Sequence, residues 1–188
     1  DRSVSRGLGD VYKRQVYWFE DLSALSAANF PADMEEDFKF PMVKIKIDSK
    51  YSYPSWQDFS EVFPDEKDDD AFNDAWEELT GEDPEDPDDR SQLLGWPDVI
   101  QNSMFDECDL VTQGYYLGDG WVKIPKEVRQ RAEETARDRW MLLFQLDIVE
   151  LGDFELMFGD CGHIYFYITK EDLAARRFDR IWLILQCY

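Results

Sequence analysis

Histidine and cysteine are nearly missing from this chain. Its 188 residues include one histidine, His163, and three cysteines, Cys108, Cys161 and Cys187. Three widely spaced cysteines form neither a disulfide framework nor a paired zinc motif, so a reduced, cytoplasmic setting is expected. Positive charge is also scarce: 20 Lys and Arg stand against 42 Asp and Glu, a formal net charge of −22. Such a field repels phosphate backbones and excludes nucleic-acid binding through a basic face. Long apolar runs are absent. The longest, Trp140–Phe144 and Ile181–Leu185, have five residues each, against the roughly 20 a membrane-crossing helix needs. No charged-apolar-small leader pattern opens the chain. No serine sits in a nucleophile-elbow sequence, and no Cys/His/Asn set has the local context of a thiol protease.

What is there is acid and aromatic carbon. The chain is 44% apolar, with 7 Trp, 9 Tyr and 13 Phe, enough at this length for one domain with a real core. The acid is concentrated. Residues 61–90 hold 15 acidic and two basic side chains, −13 of the whole charge. Inside that block Phe72, Trp76 and Leu79 fall at i, i+4 and i+7, and Gly81 follows. The spacing predicts a short acidic helix over Asp68–Thr80 with its apolar stripe docked. From Gly81 to Asp89, Pro84 and Pro87 predict an exposed loop. Its carboxylates lack the order of an EF-hand, so no calcium site is expected, and no metal or cofactor elsewhere.

Residues 1–15 have no apolar period, and Gly9–Gln15 resembles a translated sequencing-adapter scar, so they are read as a non-native or disordered tail. The apolar pattern starts at Val16, and residues 16–188 are read as one domain. Val16–Phe19 and the alternating Val43, Ile45 and Ile47 read as strands. Tyr115–Val122, broken by Gly118-Asp119-Gly120, reads as a hairpin. Pro125–Arg139 is the clearest helix, with a small-residue stripe at Val128, Ala132 and Ala136. Glu127–Arg131 and Glu133–Arg137 stand at i, i+4, pairs worth a few tenths of a kcal/mol each. Trp140–Leu146 and Ile181–Cys187 do not alternate cleanly and read as central strands. Phe154–Phe158 and His163–Ile168 flank Gly159-Asp160-Cys161-Gly162 as a hairpin whose glycines suit positive φ. Thr169 caps a short helix with Asp172 in the box position. The sum is an α+β, mainly antiparallel fold, with five or more strands and two or three short helices.

Five residues are the candidate ligand-binding set: Gln145, Asp147, Asp160, His163 and Gln186. Asp147 and Asp160 would form a carboxylate pair if their strands adjoin, and such pairs run acid–base chemistry when their environments differ. The plainer reading has each carboxylate ending a strand and bonding its own turn. Gln145 and Gln186 interrupt apolar strands; a buried amide must be hydrogen-bonded, so each fixes register or lines a pocket. A lone histidine more often holds structure than catalyses. Cys161 has no basic neighbour in its turn to activate it.

Several motifs occur in order: Tyr53-Pro54-Ser55-Trp56; Leu94-Gly95-Trp96-Pro97-Asp98 with Ile100-Gln101; Leu142–Asp147; Phe158–Gly162; Tyr165-Phe166; Glu171-Asp172-Leu173; Trp182; and Gln186-Cys187. Together they resemble the YwqG-like family, a bacterial domain of unknown function, over about Val16–Tyr188. Cys161 departs from it, standing where a small residue such as alanine is usual. The resemblance implies a mainly β, roll-like fold, and also an N-terminal half that this chain lacks, so that strands meant to pair with it would be left as edges. Two functional classes follow from the residues. The first is a non-enzymatic interaction or regulatory module whose acidic surface attracts a basic protein partner. The alternative is a small-ligand-binding protein or hydrolase using Asp147 and Asp160, which requires those side chains to converge in one concave pocket.

Overall fold

A computed structural model describes residues 14–64, 69–81, 83, 90–115, 117 and 123–188. Among them are five α-helices and six strands: α1 (Trp56–Val62), α2 (Asp69–Thr80), β1 (Gln92–Leu93), α3 (Phe105–Thr112), α4 (Lys126–Arg139), β2 (Trp140–Leu146), β3 (Val149–Leu151), β4 (Phe154–Leu156), β5 (His163–Thr169), α5 (Lys170–Ala174) and β6 (Trp182–Gln186). The main sheet has the order β1-β2-β5-β6, antiparallel throughout, and β3 and β4 make a separate hairpin. This is the expected α+β architecture dominated by antiparallel sheet.

One irregularity decides which side chains face the site. The β2–β5 register pairs Leu142 with Tyr167 but Phe144 with Phe166, so Leu143 is an extra residue in β2. A strand alternates faces with period two, and one inserted residue reverses the parity beyond it. Before the bulge Trp140 and Leu142 face the helices. After it Gln145, not Phe144, does so, opposite Tyr165. The unclean alternation of this segment is therefore a bulge.

The two faces have different covers. On one, Met104 at the N-cap of α3, Phe105 and Cys108 from α3 and Ala136 from α4 pack on Trp140, Leu142, Tyr165, Tyr167, Trp182 and Ile184. Ala132 and Ala136, both fully buried, let α4 approach closely. On the other, Leu143, Ile168 and Ile181 gather under Val16, Phe166, Leu173 and Phe178. Thr169 caps α5 as its sequence predicts: its hydroxyl accepts from the Asp172 amide at 3.0 Å and donates to the Asp172 carboxylate at 2.8 Å. Arg177 binds the same carboxylate at 2.5 Å.

Several expectations need correction. Val16–Phe19 and Val43–Ile47 are not strands. Val43, Ile45 and Ile47 are 42%, 74% and 72% exposed, and among the described residues their backbone joins no sheet. Alternation prepares a face; a strand also needs a neighbour to pair with. Among the described residues β6 is an edge of its sheet rather than central, shielded on one face by the helices. Phe154–Leu156 pairs with Val149–Leu151 instead of turning into β5, so the hairpin around residues 159–162 reduces to one bridge, Phe158 to Gly162. Gly159 has the positive φ expected of it, and so does Cys161. Gly162 is needed for room: a Cβ there would meet the Gln186 and Phe158 carbonyl oxygens at 2.3 and 2.4 Å.

The acidic helix forms as α2, with Phe72 and Trp76 against Tyr53, Phe59 and Phe63. Leu79, expected on the docked stripe, is 79% exposed among the described residues. On α4 the i, i+4 pairs give way to longer reaches: Arg131 donates to Gln113, and Arg137 to Asp58 at 3.1 Å and Glu61 at 2.5 Å. α1 and α3 had no clear sequence signal. The Tyr115–Val122 hairpin and most of the Gly81–Asp89 loop lie outside the described residues.

Candidate functional site

Four of the five candidate residues come together on the helix-facing side of the sheet, where residues 90–102 cross it as a strap. Gln145 reaches that face because of the Leu143 bulge, and Asp147 follows two residues on. His163 and Tyr165 share it on β5, and Gln186 stands opposite His163 on β6. Gln145, His163 and Gln186 are all buried.

The two glutamines act as strand partners made of side chain. Gln145 Oε1 accepts from the Asp98 amide at 2.9 Å, and its Nε2 donates to the Arg90 carbonyl at 2.8 Å. Gln186 Oε1 accepts from the Ile100 and Gln101 amides at 3.1 and 3.0 Å, and its Nε2 donates to the Asn102 carbonyl at 2.8 Å. The strap carries backbone groups that no regular ladder satisfies, and the two amides satisfy five of them. The Tyr165 hydroxyl adds a bond to the Asp98 carbonyl at 2.6 Å. Burial pushes the Tyr165 phenol up, and the charge of Asp98 pushes the same way.

His163 lies between two carboxylates. Its Nδ1 is 2.9 Å from Asp147 Oδ1, and its Nε2 is 3.4 Å from Asp98 Oδ2. The Nδ1 contact has ion-pair distance without hydrogen-bond alignment, and this buried nitrogen has no hydrogen-bond partner among the described residues. Asp147 Oδ1 accepts instead from the Ile148 amide at 2.6 Å, and the Asp147 amide donates to the Ser91 hydroxyl at 3.2 Å. Arg90 forms an ion pair with the same Asp98 oxygen that faces His163. Burial alone would raise the Asp98 carboxyl, but the hydrogen bonds from His163 and Arg90 outweigh it and hold the group below the ordinary carboxylate range. Asp98 is therefore an anion at neutral pH, held by two cation-capable neighbours.

Asp160 stands apart. It is exposed on the Phe158–Gly162 turn and joins the fold through its carbonyl, which accepts from the Tyr188 amide at 3.0 Å. Sequence reasoning also passed over Asp98, Arg90 and Ser91. Asp98 had a signal: a carboxylate fixed behind a proline, in a Leu94–Pro97 segment rich in turn residues.

Beside Asp98 the surface opens into a small cleft of about 80 Å³. Trp96 and Asp98 from the strap, Tyr51 and Tyr53 from the segment before α1, and Trp76 from α2 line it. The Trp96 amide donates to Ser52 Oγ at 3.0 Å, tying the two walls together. The described residues contain no group of three or more His, Cys, Asp or Glu placed to hold a metal ion, and no helix among them is long and apolar enough to cross a membrane.

An antiparallel α+β domain with a glutamine-pinned strap and a buried imidazole between two half-buried carboxylates is the class that fold and site define. Residues 10–187 match the family described as a domain of unknown function, DUF1963, and the chain belongs to that family. No curated protein and no solved structure matches it.

Proposed function

We propose that this domain is a non-enzymatic interaction module for a basic protein partner, and that within its family it is YwqG-like, bacterial and cytoplasmic. The observation that carries the reading is how the cluster's reactive side chains are employed. His163 is 3% exposed, and each glutamine is spent on the strap's backbone. A general base must come within hydrogen-bond reach of its substrate, and this imidazole faces protein carboxylates on both nitrogens. By contrast, Asp70, Asp74, Glu77 and Glu78 of α2 are exposed and sit on a helix anchored by its aromatic face. A rigid acidic surface steers a cationic partner and gains little from a neutral one.

The hydrolase alternative draws support from the 2.9 Å approach of Asp147 to His163. Its other carboxylate, Asp160, lies on the exposed turn, so the paired-carboxylate form of that reading has less behind it. The test is a titration of the chain with a ten-residue lysine–alanine peptide, followed by tryptophan fluorescence at 20 and 300 mM NaCl. Binding that weakens at least tenfold at the higher salt is expected, because surface ion pairing is screened. Absent or salt-independent binding overturns the proposal.

A further inference from the structure

We infer that the cleft between the strap and α2 receives the cationic end of one lysine or arginine side chain of the partner, an inference that rests on the interaction reading above. Its size suits one side-chain head: about 80 Å³ is far below the roughly 300–1,000 Å³ of a small-molecule or cofactor pocket. Its walls suit a cation. Tyr51, Tyr53, Trp76 and Trp96 supply four aromatic rings to its lining, and ammonium and guanidinium groups are attracted to the negative face of such rings. Tyr53 and Trp76 are already fixed against each other, ring centroids 4.6 Å apart, so that corner is preorganised. Asp98 and Asp83 add carboxylates to the lining. Asp98 is held ionised by its hydrogen bonds from His163 and Arg90 despite its burial. Ser55, also in the lining, has a buried hydroxyl oxygen without a hydrogen-bond partner, a group ready to accept from an N–H.

Charge and position agree. One wall of the cleft is α2, whose last turn has no basic residue and which lies within the block holding −13 of the −22. A basic partner drawn to that block arrives at the cleft mouth. Tyr51 is 78% exposed there, so most of its ring is open to an incoming side chain. The chain's own Lys50 lies in the same lining and Arg90 already pairs with Asp98, so an incoming cation competes with both.

The test uses the full chain and the lysine–alanine peptide, with Tyr51→Ala, Trp76→Leu and Lys50→Gln variants. Tyr51→Ala leaves the core untouched, so it reads the cleft even if Trp76→Leu loosens α2. Tyr51→Ala is expected to weaken peptide binding about fivefold, and Lys50→Gln to strengthen it. A wild-type chain that binds the peptide, with Tyr51→Ala unchanged, overturns the cleft and leaves the interaction reading standing. Unchanged or weaker binding in Lys50→Gln would show that Lys50 does not compete with the incoming side chain, and overturns the inference. A wild-type chain that fails to bind at either salt overturns both.

Discussion

A single glutamine on each side of β5 holds most of the strap, and that makes both residues unusually costly to change. Gln186→Ala would leave the Ile100 and Gln101 amides and the Asn102 carbonyl without their partner. An abandoned buried group costs about 1–3 kcal/mol; these bonds are part-buried, so water recovers part of it. A net loss of about 3 kcal/mol is expected, a drop of roughly 6–12 °C in thermal midpoint for a chain of this length. A fall under 2 °C, followed by tryptophan fluorescence, would mean the strap is held by something else. The same physics gives Glu107 a measurable signature. Burial, with the charge of Asp106 behind it, pushes its carboxyl up to about 7. A group with a raised folded value stabilises fully below its unfolded value, near 4.5, and that stability is lost as pH rises through 7. Wild-type stability should therefore carry a component that declines between pH 4.5 and 7. Glu107→Gln should remove it, gaining about 2 kcal/mol at pH 8 once partial exposure is discounted. Equal urea midpoints for the two chains at pH 8 would refute the burial of this carboxylate. Asp98 works in the opposite sense: its stabilisation is present at neutral pH and fades as pH falls below the ordinary carboxylate range.

Helices and strands were legible where a pattern was local. α4, α5, β2, β5 and the acidic helix could be read from spacing and caps, because the signals lie within a dozen residues. What could not be read depends on partners distant in sequence. The Leu143 bulge exists only relative to β5, yet it sets which face Gln145 and Asp147 occupy. The convergence of Asp98 on His163 spans 65 residues and left no periodic trace. Val43–Ile47 shows the converse, a strand pattern with no strand. The docking of α1 is another long-range feature, made by Arg137 reaching Asp58 and Glu61. Asp58 is fully buried, whereas the Glu61 side chain is 58% exposed. Arg137→Ala would strand a buried carboxylate, a change that costs roughly 3–5 kcal/mol in comparable pairs. Glu61→Ala removes a wet contact worth under about 1 kcal/mol. Urea unfolding of the two variants should separate them clearly; similar losses would show that Asp58 is not sealed.

Across the whole molecule the charge proposed to draw a partner works against the fold. At −22 the chain repels itself, most strongly in dilute salt, where the screening length is about 30 Å at 10 mM against 3 Å at 1 M. The cost is sharpest at Glu77 and Glu78. They lie in the last turn of α2, where the helix dipole is negative and no basic residue offsets it. Helix ends prefer the opposite arrangement by about 0.3–1 kcal/mol per charge. Two carboxylates kept in an unfavourable place make sense if something outside the chain benefits. The double variant Glu77→Gln/Glu78→Gln should therefore raise the thermal midpoint in 10 mM NaCl by a few degrees, and that gain should vanish at 1 M. The same variant should bind the lysine–alanine peptide several-fold more weakly than wild type. A midpoint that rises without any loss of binding would leave the charge as a burden with no beneficiary and turn the search toward another face. Loss of binding with no rise in midpoint would show that the fold, through contacts elsewhere, already neutralises this helix end.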